Sequence, residues 1–333
     1  MNFGTSSVDD SPPTESPEGA SGARLEPAPR VSPVKGFARV GEFLEMIKVG
    51  HTLFALPFAI GATVLAAGGW PTLLQVLQIC LAVLFARTAA MAFNRYVDRE
   101  IDAENPRTET RSLPTGALTP QFVLLTVFFS SAAFIATAAT IGTYTGWLSP
   151  VALVIILGYS VTKRVTSLCH LALGAALALA PIGAWVAIRG TLQLDAWILG
   201  AAVMFWTAGF DILYSTLDVD FDRSRGLNSI PVRWGIPGAL RIAMGFHFLM
   251  VALLIVLGLR LELGAFYFGT LVAVVAVLTY EHRLVKPDDL ARVNQAFFLW
   301  NVVISVALMV AMIVESSSAL PSIGNFETES GGR

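Results

Sequence analysis

Apolar runs of about 20 residues recur along most of this chain, and they constrain its fold more than any other feature. A run of this length is what an α-helix needs to cross the hydrocarbon core of a bilayer. Because lipid offers no hydrogen bonds to the backbone, spanning segments of this kind form helices. We therefore expect an all-α polytopic membrane bundle of nine transmembrane helices. The predicted spans are residues 45–67, 73–93, 121–139, 147–162, 168–188, 194–214, 238–258, 263–281 and 294–314.

The composition is that of a membrane protein. Hydrophobic residues make up 55% of the 333 residues and charged residues only 14%, and the mean hydropathy is +0.66. Soluble domains carry about 25% charged residues. We expect the lipid bilayer to be a partner and expect no nucleic-acid partner. The two cysteines, Cys80 and Cys169, lie in apolar runs, where the favoured interpretation is a small buried side chain.

Polar segments flank the predicted bundle at both ends. Residues 1–36 are rich in Pro, Ser, Gly and Glu and contain no apolar run, so we expect a disordered N-terminal tail without a signal peptide. Residues 37–315 form the predicted transmembrane domain. Residues 316–333 are polar again, and we expect them to be a flexible C-terminal tail.

The distribution of Lys and Arg predicts the orientation in the membrane. The N-terminal tail and the loops after spans two, four, six and eight hold most of these residues, whereas the opposite side has only Arg189, Arg260 and Arg333. Positive charge concentrates on the cytoplasmic side of membrane proteins. We therefore expect a cytoplasmic N-terminus in a bacterial inner membrane, with the loops after spans two and six also in the cytoplasm.

Two acidic stripes lie at the predicted cytoplasmic ends of spans two and six. The first is Asn94, Asp98 and Asp102, spaced at four residues, so that the three side chains share one helix face. The second consists of residues spaced three, four and four along the chain. These are Asp211, Tyr214, Asp218 and Asp222. Burying carboxylates at the end of an apolar span costs free energy. This favours a functional role over acids that merely happen to lie at a helix end.

Carboxylate and amide oxygens suit Mg²⁺, which bridges protein carboxylates to substrate phosphates. We therefore predict that the two stripes together hold metal ions and a diphosphate. Asp220 lies off the second stripe, and solvation or pairing within the loop is its favoured role.

Cations and hydroxyls near the stripes are candidates for binding the diphosphate. Tyr159 and Lys163 share a face at the end of span four, next to Arg164, and Arg107 and Arg111 lie in a loop punctuated by prolines and a glycine. The general excess of Lys and Arg in cytoplasmic loops explains the presence of any one of these cations equally well. Lys48, in span one, can contact an acidic acceptor or extend to the membrane surface.

Other polar residues within the spans favour structural roles. Asn294 and Asn301 share a face of span nine, where hydrogen bonding between helices is the favoured interpretation. His170 and His247 lie in apolar surroundings without partners at ligand spacing, so we interpret both as structural.

From about residue 43 to the end of span nine, the chain resembles the UbiA superfamily of intramembrane prenyltransferases. Many ordered segments carry the resemblance. They are residues 46–48, 55–59, 94–98, 105–108, 159–163, 180–185, 209–222, 226–231 and 280–282. Within the superfamily, the chain looks most like 4-hydroxybenzoate polyprenyltransferases and their relatives in menaquinone synthesis.

The resemblance implies an enzyme that transfers a polyprenyl group from a polyprenyl diphosphate to an aromatic acid in ubiquinone or menaquinone biosynthesis. It implies Mg²⁺-assisted ionisation followed by electrophilic aromatic substitution. The metal ligands it implies are Asn94, Asp98, Asp102, Asp218 and Asp222. It also implies that Tyr159 and Lys163 contact the diphosphate and that Asp211 and Tyr214 line the same cavity. With the residues singled out above, we predict the catalytic residues Asp98, Asp102, Asp211, Asp218 and Asp222. The predicted substrate-binding residues are Lys48, Tyr159, Lys163, Arg164, Tyr214, Arg107 and Arg111.

The sequence leaves more than one acceptor and more than one class of protein open. Within the enzyme class, the acceptor can instead be a dihydroxynaphthoate, homogentisate, haem or a chlorin. The competing class is a cation-coupled transporter, which tends to place its acids in broken helices near the bilayer centre. The acids of this chain lie at helix ends beside basic loops, which favours phosphate chemistry.

Overall fold

A computed structural model describes residues 31–48, 50, 52–285, 290 and 296–318 of the chain. Every regular element in these residues is helical, as the apolar runs predict. The helices are α1 Phe37–Met46, α2 Thr52–Ala67, α3 Leu73–Glu104, α4 Pro120–Ile141, α5 Thr143–Thr162, α6 Cys169–Arg189, α7 Leu194–Ser215, α8 Val219–Ser224, α9 Ile230–Arg260, α10 Ala265–Leu284 and α11 Asn301–Ser318. A 3₁₀ turn joins α7 to α8, and a π-helical turn precedes α11.

Eight stretches in the described residues are long and apolar enough to cross a membrane, and they correspond to the second to ninth predicted spans. The predicted first span, 45–67, differs. The helix breaks after Met46, Lys48 adopts a left-handed backbone conformation with φ of 50°, and α2 is a shorter apolar helix. A left-handed residue cannot continue an α-helix. The count of nine spans and the cytoplasmic N-terminus therefore remain predictions.

Local sequence signals set the helix ends near the acidic stripes. Thr72 begins α3 with a capping box, in which its side chain and that of Gln75 each accept a hydrogen bond from the other's backbone. From there α3 runs unbroken for 32 residues, which carries the first acidic stripe beyond the apolar part of the helix. Ser229 caps the start of α9 by accepting a hydrogen bond from the Val232 backbone.

Helix α7 lies at the centre of the bundle, packed between α6 and α9. Trp206 is completely buried there, with ring centroids 5.0 Å from Phe58 and 4.9 Å from Phe210. On the α6 side, Gly174 contacts the backbone of Met204 so closely that a side chain has no room. This central helix carries the second acidic stripe out of the core.

The predicted tails fall largely outside the described residues. Of the N-terminal tail, only 31–36 is described, where the backbone amides of Val31 and Val34 donate to the carbonyls of Thr115 and Ala117. At the other end, α11 continues to Ser318, and 319–333 lies outside the described part of the chain. Asn294 also lies outside it.

Candidate active site

The first acidic stripe lies on one face of α3, as its spacing predicts. Asn94 donates from its amide to the Asp98 carboxylate at 2.9 Å, one turn further along the helix. The Asp98 carboxylate also accepts from Arg164, at 2.9 Å, and Asp102 forms an ion pair with Arg111 at 2.8 Å. Asp102 is buried, so its pairing with a cation offsets the cost of removing the charge from water.

The second stripe does not follow a single α-helix. After Tyr214 the chain tightens into a 3₁₀ turn, from which α8 continues with Asp222. The guanidinium of Arg107 donates to both oxygens of Asp218 and also to the Tyr214 hydroxyl. Asp222 is 1% exposed and forms an ion pair with Lys163 at 2.8 Å. Both aspartates are thus held by cations from other segments.

These side chains line one cavity of about 300 Å³ between the helices. Helix α3 and the loop after it form one wall, and the ends of α5, α6, α7 and α8 form the others. Among the predicted site residues, the lining contains Asn94, Asp98, Asp102, Arg107, Arg111, Tyr159, Lys163, Arg164, Asp211, Tyr214, Asp218 and Asp222. Lys48 is the exception, because it is exposed at the break between α1 and α2 and does not line this cavity.

The loop that follows α3 covers the mouth of the cavity. Asn105, at the end of α3, donates from its side chain to Asp218 at 3.2 Å. Thr108 turns the chain back by donating its hydroxyl to the carbonyl of Asp102 at 3.0 Å. These two contacts hold Arg107 and Arg111 over the two acidic stripes.

Lys163 and Arg107 lie outside the long apolar helices, and both stay positively charged. Burial lowers the pKa of Lys163, but the Asp222 carboxylate raises it by more, so the net shift is upward. Burial likewise lowers the pKa of Arg107, and its hydrogen bond to Asp218 outweighs that effect. Both side chains are therefore cations at neutral pH, as binding of a phosphate requires.

A second, mostly apolar cavity of about 320 Å³ adjoins the polar one. Its walls come from α2 to α7 and include many alanines, leucines and isoleucines. The two cavities share five lining residues. These are Arg87, Met91, Tyr159, Leu173 and Leu177. The protein therefore offers a charged compartment and an apolar compartment side by side.

Two residues that the sequence did not single out for chemistry line the polar cavity. Arg87 lies at the junction of the two cavities, and its buried Nε makes no hydrogen bond within the described part of the chain. His170 binds Asp211, with 2.7 Å between Nδ1 and Oδ2. The sequence shows no partner for His170 at ligand spacing along the chain. Its partner is 41 residues away, a separation that spacing along the chain does not reveal.

His247 also has a partner that spacing along the chain does not reveal. Its Nδ1 lies 2.9 Å from Nε2 of His282, on α10. This pair is away from the lining of the polar cavity. Asn301 donates to Glu281 at 3.3 Å across the α10–α11 contact.

The donor set of the polar cavity fits Mg²⁺ in its chemistry. All the predicted ligands offer oxygen atoms, which this ion prefers. One of them, Oδ2 of Asp222, is buried and makes no hydrogen bond to any described residue. The described residues contain no group of three His, Cys, Asp or Glu side chains arranged around one point. The carboxylates instead come from α3 and from the 3₁₀ turn and helix α8 that follow α7, each next to a cation.

The fold and the cavities define an integral membrane protein of helices with a charged pocket opening onto an apolar one. Comparison with known proteins gives the family. The sequence profile of the UbiA prenyltransferase family matches residues 55–302. A 4-hydroxybenzoate octaprenyltransferase of Chromohalobacter salexigens is 33% identical over 268 residues, which cover 79% of this chain and 89% of that protein.

Solved structures have the same fold. The apo structure of a UbiA homologue from Aeropyrum pernix superposes with a TM-score of 0.72 at 36% identity, covering 79% of this chain and 97% of that one. A UbiA homologue from Archaeoglobus fulgidus, bound to DMAPP and Mg²⁺, has a TM-score of 0.66 at 20% identity, covering 84% and 100%. The chain belongs to the UbiA prenyltransferase family, and it is an enzyme of that class.

Proposed function

We propose that this enzyme transfers a polyprenyl group from a polyprenyl diphosphate to an aromatic acid of the 4-hydroxybenzoate kind, in ubiquinone biosynthesis or a related quinone pathway. The observation that carries this proposal is the pairing of a charged cavity with an apolar one. A polyprenyl diphosphate has the same two parts. Relatives at about 30% identity that are named 4-hydroxybenzoate octaprenyltransferase support the choice of acceptor.

Cations around the mouth of the charged cavity bind the diphosphate. Lys163, Arg107, Arg111 and Arg164 each pair with a carboxylate of the stripes. Guanidinium and ammonium groups bind phosphate oxygens strongly, so a diphosphate competes with the carboxylates for them. Tyr159 and Tyr214 line the same walls and offer hydroxyl groups. This exchange would leave the carboxylates free to hold a metal ion.

The carboxylates and the amide of the two stripes hold Mg²⁺ in this proposal. The ligands are Asn94, Asp98, Asp102, Asp218 and Asp222. When bound, Mg²⁺ neutralises the charge that develops on the diphosphate as the allylic C–O bond breaks. Lys163 stabilises the same charge from the wall of the cavity.

The prenyl chain occupies the apolar cavity. Burying its isoprene units against alanine, leucine and isoleucine side chains is favourable, at about 0.8 kcal/mol for each CH₂ group. The apolar walls also exclude water, with which an allylic cation would otherwise react.

The aromatic acid binds further inside the helical bundle than the diphosphate. Arg87 is seven residues before Asn94 on α3, and Asp211 is seven residues before Asp218 on α7, which places each about 10 Å further into the bundle. Among the described residues, Arg87 is a cavity cation without a carboxylate partner, so its guanidinium is available to a carboxylate of the acceptor. Asp211 accepts the proton that leaves the ring.

The decisive experiment is an assay of the purified protein with a labelled polyprenyl diphosphate, with and without Mg²⁺. The acceptors are 4-hydroxybenzoate, a dihydroxynaphthoate, homogentisate and the methyl ester of 4-hydroxybenzoate. We expect a prenylated 4-hydroxybenzoate that requires Mg²⁺ and little product from the ester. Arg87→Gln should discriminate less between the acid and its ester. Transfer to a dihydroxynaphthoate alone would move the enzyme to the menaquinone branch.

Failure of every acceptor together with uptake of a solute into vesicles would contradict the proposal and favour a transporter. The proposed location is a bacterial inner membrane with the charged cavity open to the cytoplasm. The excess of Lys and Arg in the loops around that cavity supports this orientation.

A further inference from the structure

His170 and Asp211 form a hydrogen-bonded pair in the wall of the charged cavity. His170 lies in the first turn of α6 and is 2% exposed. Asp211 lies in the last turn but one of α7 and is 24% exposed, so it is the member of the pair that faces the cavity. The pair therefore connects a buried imidazole to a carboxylate within reach of a bound substrate.

The second ring nitrogen of His170 also has a partner. The backbone N–H of Ile230, in the first turn of α9, points at Nε2 at a distance of 3.2 Å. A backbone N–H only donates, so Nε2 is the acceptor in this contact. The proton is then on Nδ1, where it is donated to Oδ2 of Asp211. Contacts from three helices thus aim the Nδ1 donor of the imidazole at this carboxylate.

Asp211 differs from the other four acids of the cavity. Asp98, Asp102, Asp218 and Asp222 each pair with a Lys or Arg. Asp211 pairs with a histidine instead, and the described part of the chain shows no other side-chain hydrogen bond or ion pair for it. Its second oxygen, Oδ1, is available to the acceptor ring.

We infer that His170 is a positioning residue that orients Asp211 as the proton acceptor of the reaction. This inference rests on the proposed function. The allylic C–O bond breaks with its electron pair leaving on the diphosphate, and the ring carbon next to the hydroxyl forms the new C–C bond. Oδ1 of Asp211 then takes the proton from that carbon, and the electrons of the C–H bond restore the aromatic ring. His170 keeps its own proton throughout and holds Oδ2 in place.

Substitution by Asn or Gln distinguishes the roles of the two ring nitrogen atoms of His170. In His170→Asn the side-chain amide lies near the position of Nδ1 and still donates to Asp211. In His170→Gln the amide lies near Nε2 and leaves that donor position empty. With 4-hydroxybenzoate, polyprenyl diphosphate and Mg²⁺, we expect His170→Gln and His170→Phe to lower kcat by about 10- to 100-fold. KM for both substrates should stay within a few-fold of the parent, and His170→Asn should recover most of kcat.

A double-mutant cycle tests whether His170 acts through Asp211. In an Asp211→Asn background, His170→Phe should cause little further loss, because the residue it positions no longer accepts a proton. Thermal unfolding shows which variants are folded, and the Asn and Gln pair remains informative if the Phe variant is not.

Several outcomes would overturn the inference. They are equal losses in the Asn and Gln variants, unchanged kcat in all variants, a loss confined to KM, and independent losses in the double mutant. If the parent itself forms no prenylated product, both the proposed function and this inference fail, whereas a fully active parent with equally active His170 variants rejects the inference alone.

Discussion

At the scale of single residues, the charged cavity is a set of acid–base pairs whose members come from distant parts of the chain. Arg107 and Asp218 are 111 residues apart, and Arg164 and Asp98 are 66 apart. Each pair offsets the cost of a buried charge, and each cation is of a type that binds phosphate. The ion pairs that stabilise the walls of the cavity are therefore the contacts that a diphosphate can replace.

Asp218→Asn should remove most of the prenyl transfer activity while leaving insertion into the membrane intact. The amide keeps the shape of the side chain but loses the charge that pairs with Arg107 and that would hold Mg²⁺ in the proposed mechanism. We expect kcat to fall roughly 100-fold or more. The measurement is Mg²⁺-dependent product formation, normalised to the amount of protein in the membrane.

Asp220→Asn is the matched control. Asp220 lies two residues further along, is fully exposed and is 3.7 Å from Arg223. Its loss should leave activity within about twofold, because an exposed ion pair contributes little. Full activity of Asp218→Asn, or an equal loss in Asp220→Asn, would contradict the assignment of the second stripe.

The sequence predicts this site in part, and the limit is set by distance along the chain. Spacing of four residues is enough to place Asn94 beside Asp98, because one helix fixes their relation. Nothing in the spacing relates His170 to Asp211 or Arg107 to Asp218. Those contacts depend on how the helices pack and on the turn of the loop after α3. The partners of a buried polar residue are accordingly what sequence reasoning misses.

At the scale of elements, long apolar helices are predictable and their interruptions are not. The hydropathy of α3 predicts its membrane-spanning part, and the acidic stripe predicts that the helix continues beyond it. The break between α1 and α2 has no comparable signal, since Lys48 is an ordinary residue in a left-handed conformation. That conformation depends on tertiary packing, and it leaves Lys48 exposed, away from the cavity.

Close packing of α6 on α7 positions the His170–Asp211 pair, and Gly174 makes it possible. A methyl group at residue 174 would overlap the backbone carbonyl of Met204. Gly174→Ala should therefore separate the two helices and destabilise the protein by about 1–3 kcal/mol. Thermal unfolding in detergent should show a lower Tm, and activity should fall as the pair is displaced.

Gly183→Ala provides a control on the same helix. A methyl group at residue 183 meets no atom within 4 Å. Alanine is the better helix former, so this variant should unfold at the same or a higher temperature. A Tm for Gly174→Ala that equals that of Gly183→Ala would show that α6 and α7 are not in close contact there.

At the scale of the whole molecule, the proposed orientation depends on charges in loops on the two sides of the bundle. Thr191 is exposed in the loop after α6, and Ser224 is exposed at the end of α8. After replacement of Cys80 and Cys169 by alanine, a cysteine at residue 191 should react with a membrane-impermeant maleimide in intact cells. A cysteine at residue 224 should react only after permeabilisation. The reverse pattern would place the charged cavity on the outer side.

Hydropathy alone predicts the helical bundle, yet it says nothing about the space inside it. The apolar cavity exists because small side chains from several helices meet, among them Ala86 and Ala90 on α3 and Ala176 on α6. Pocket depth is thus an outcome of packing between helices, which no single span reveals. If the prenyl chain lies there, its length is limited by these alanines.

Ala86→Phe should shorten the prenyl chain that the enzyme accepts. Ala86 is buried in the wall of the apolar cavity, and a phenyl ring there fills the space that distal isoprene units need. We expect transfer from a long polyprenyl diphosphate to fall about tenfold or more, because overpacking displaces the chain. Transfer from dimethylallyl diphosphate, which does not reach so far, should change little.

The control for this substitution lies on the same helix and faces outward. Leu84 is 40% exposed on the surface of α3, so Leu84→Phe should leave both rates unchanged. Ala90→Leu provides a milder obstruction if Ala86→Phe unfolds at a lower temperature. Equal loss with long and short diphosphates would mean that the ring damages the charged cavity itself. Unchanged transfer of the long chain would place that chain outside the apolar cavity, against the lipid.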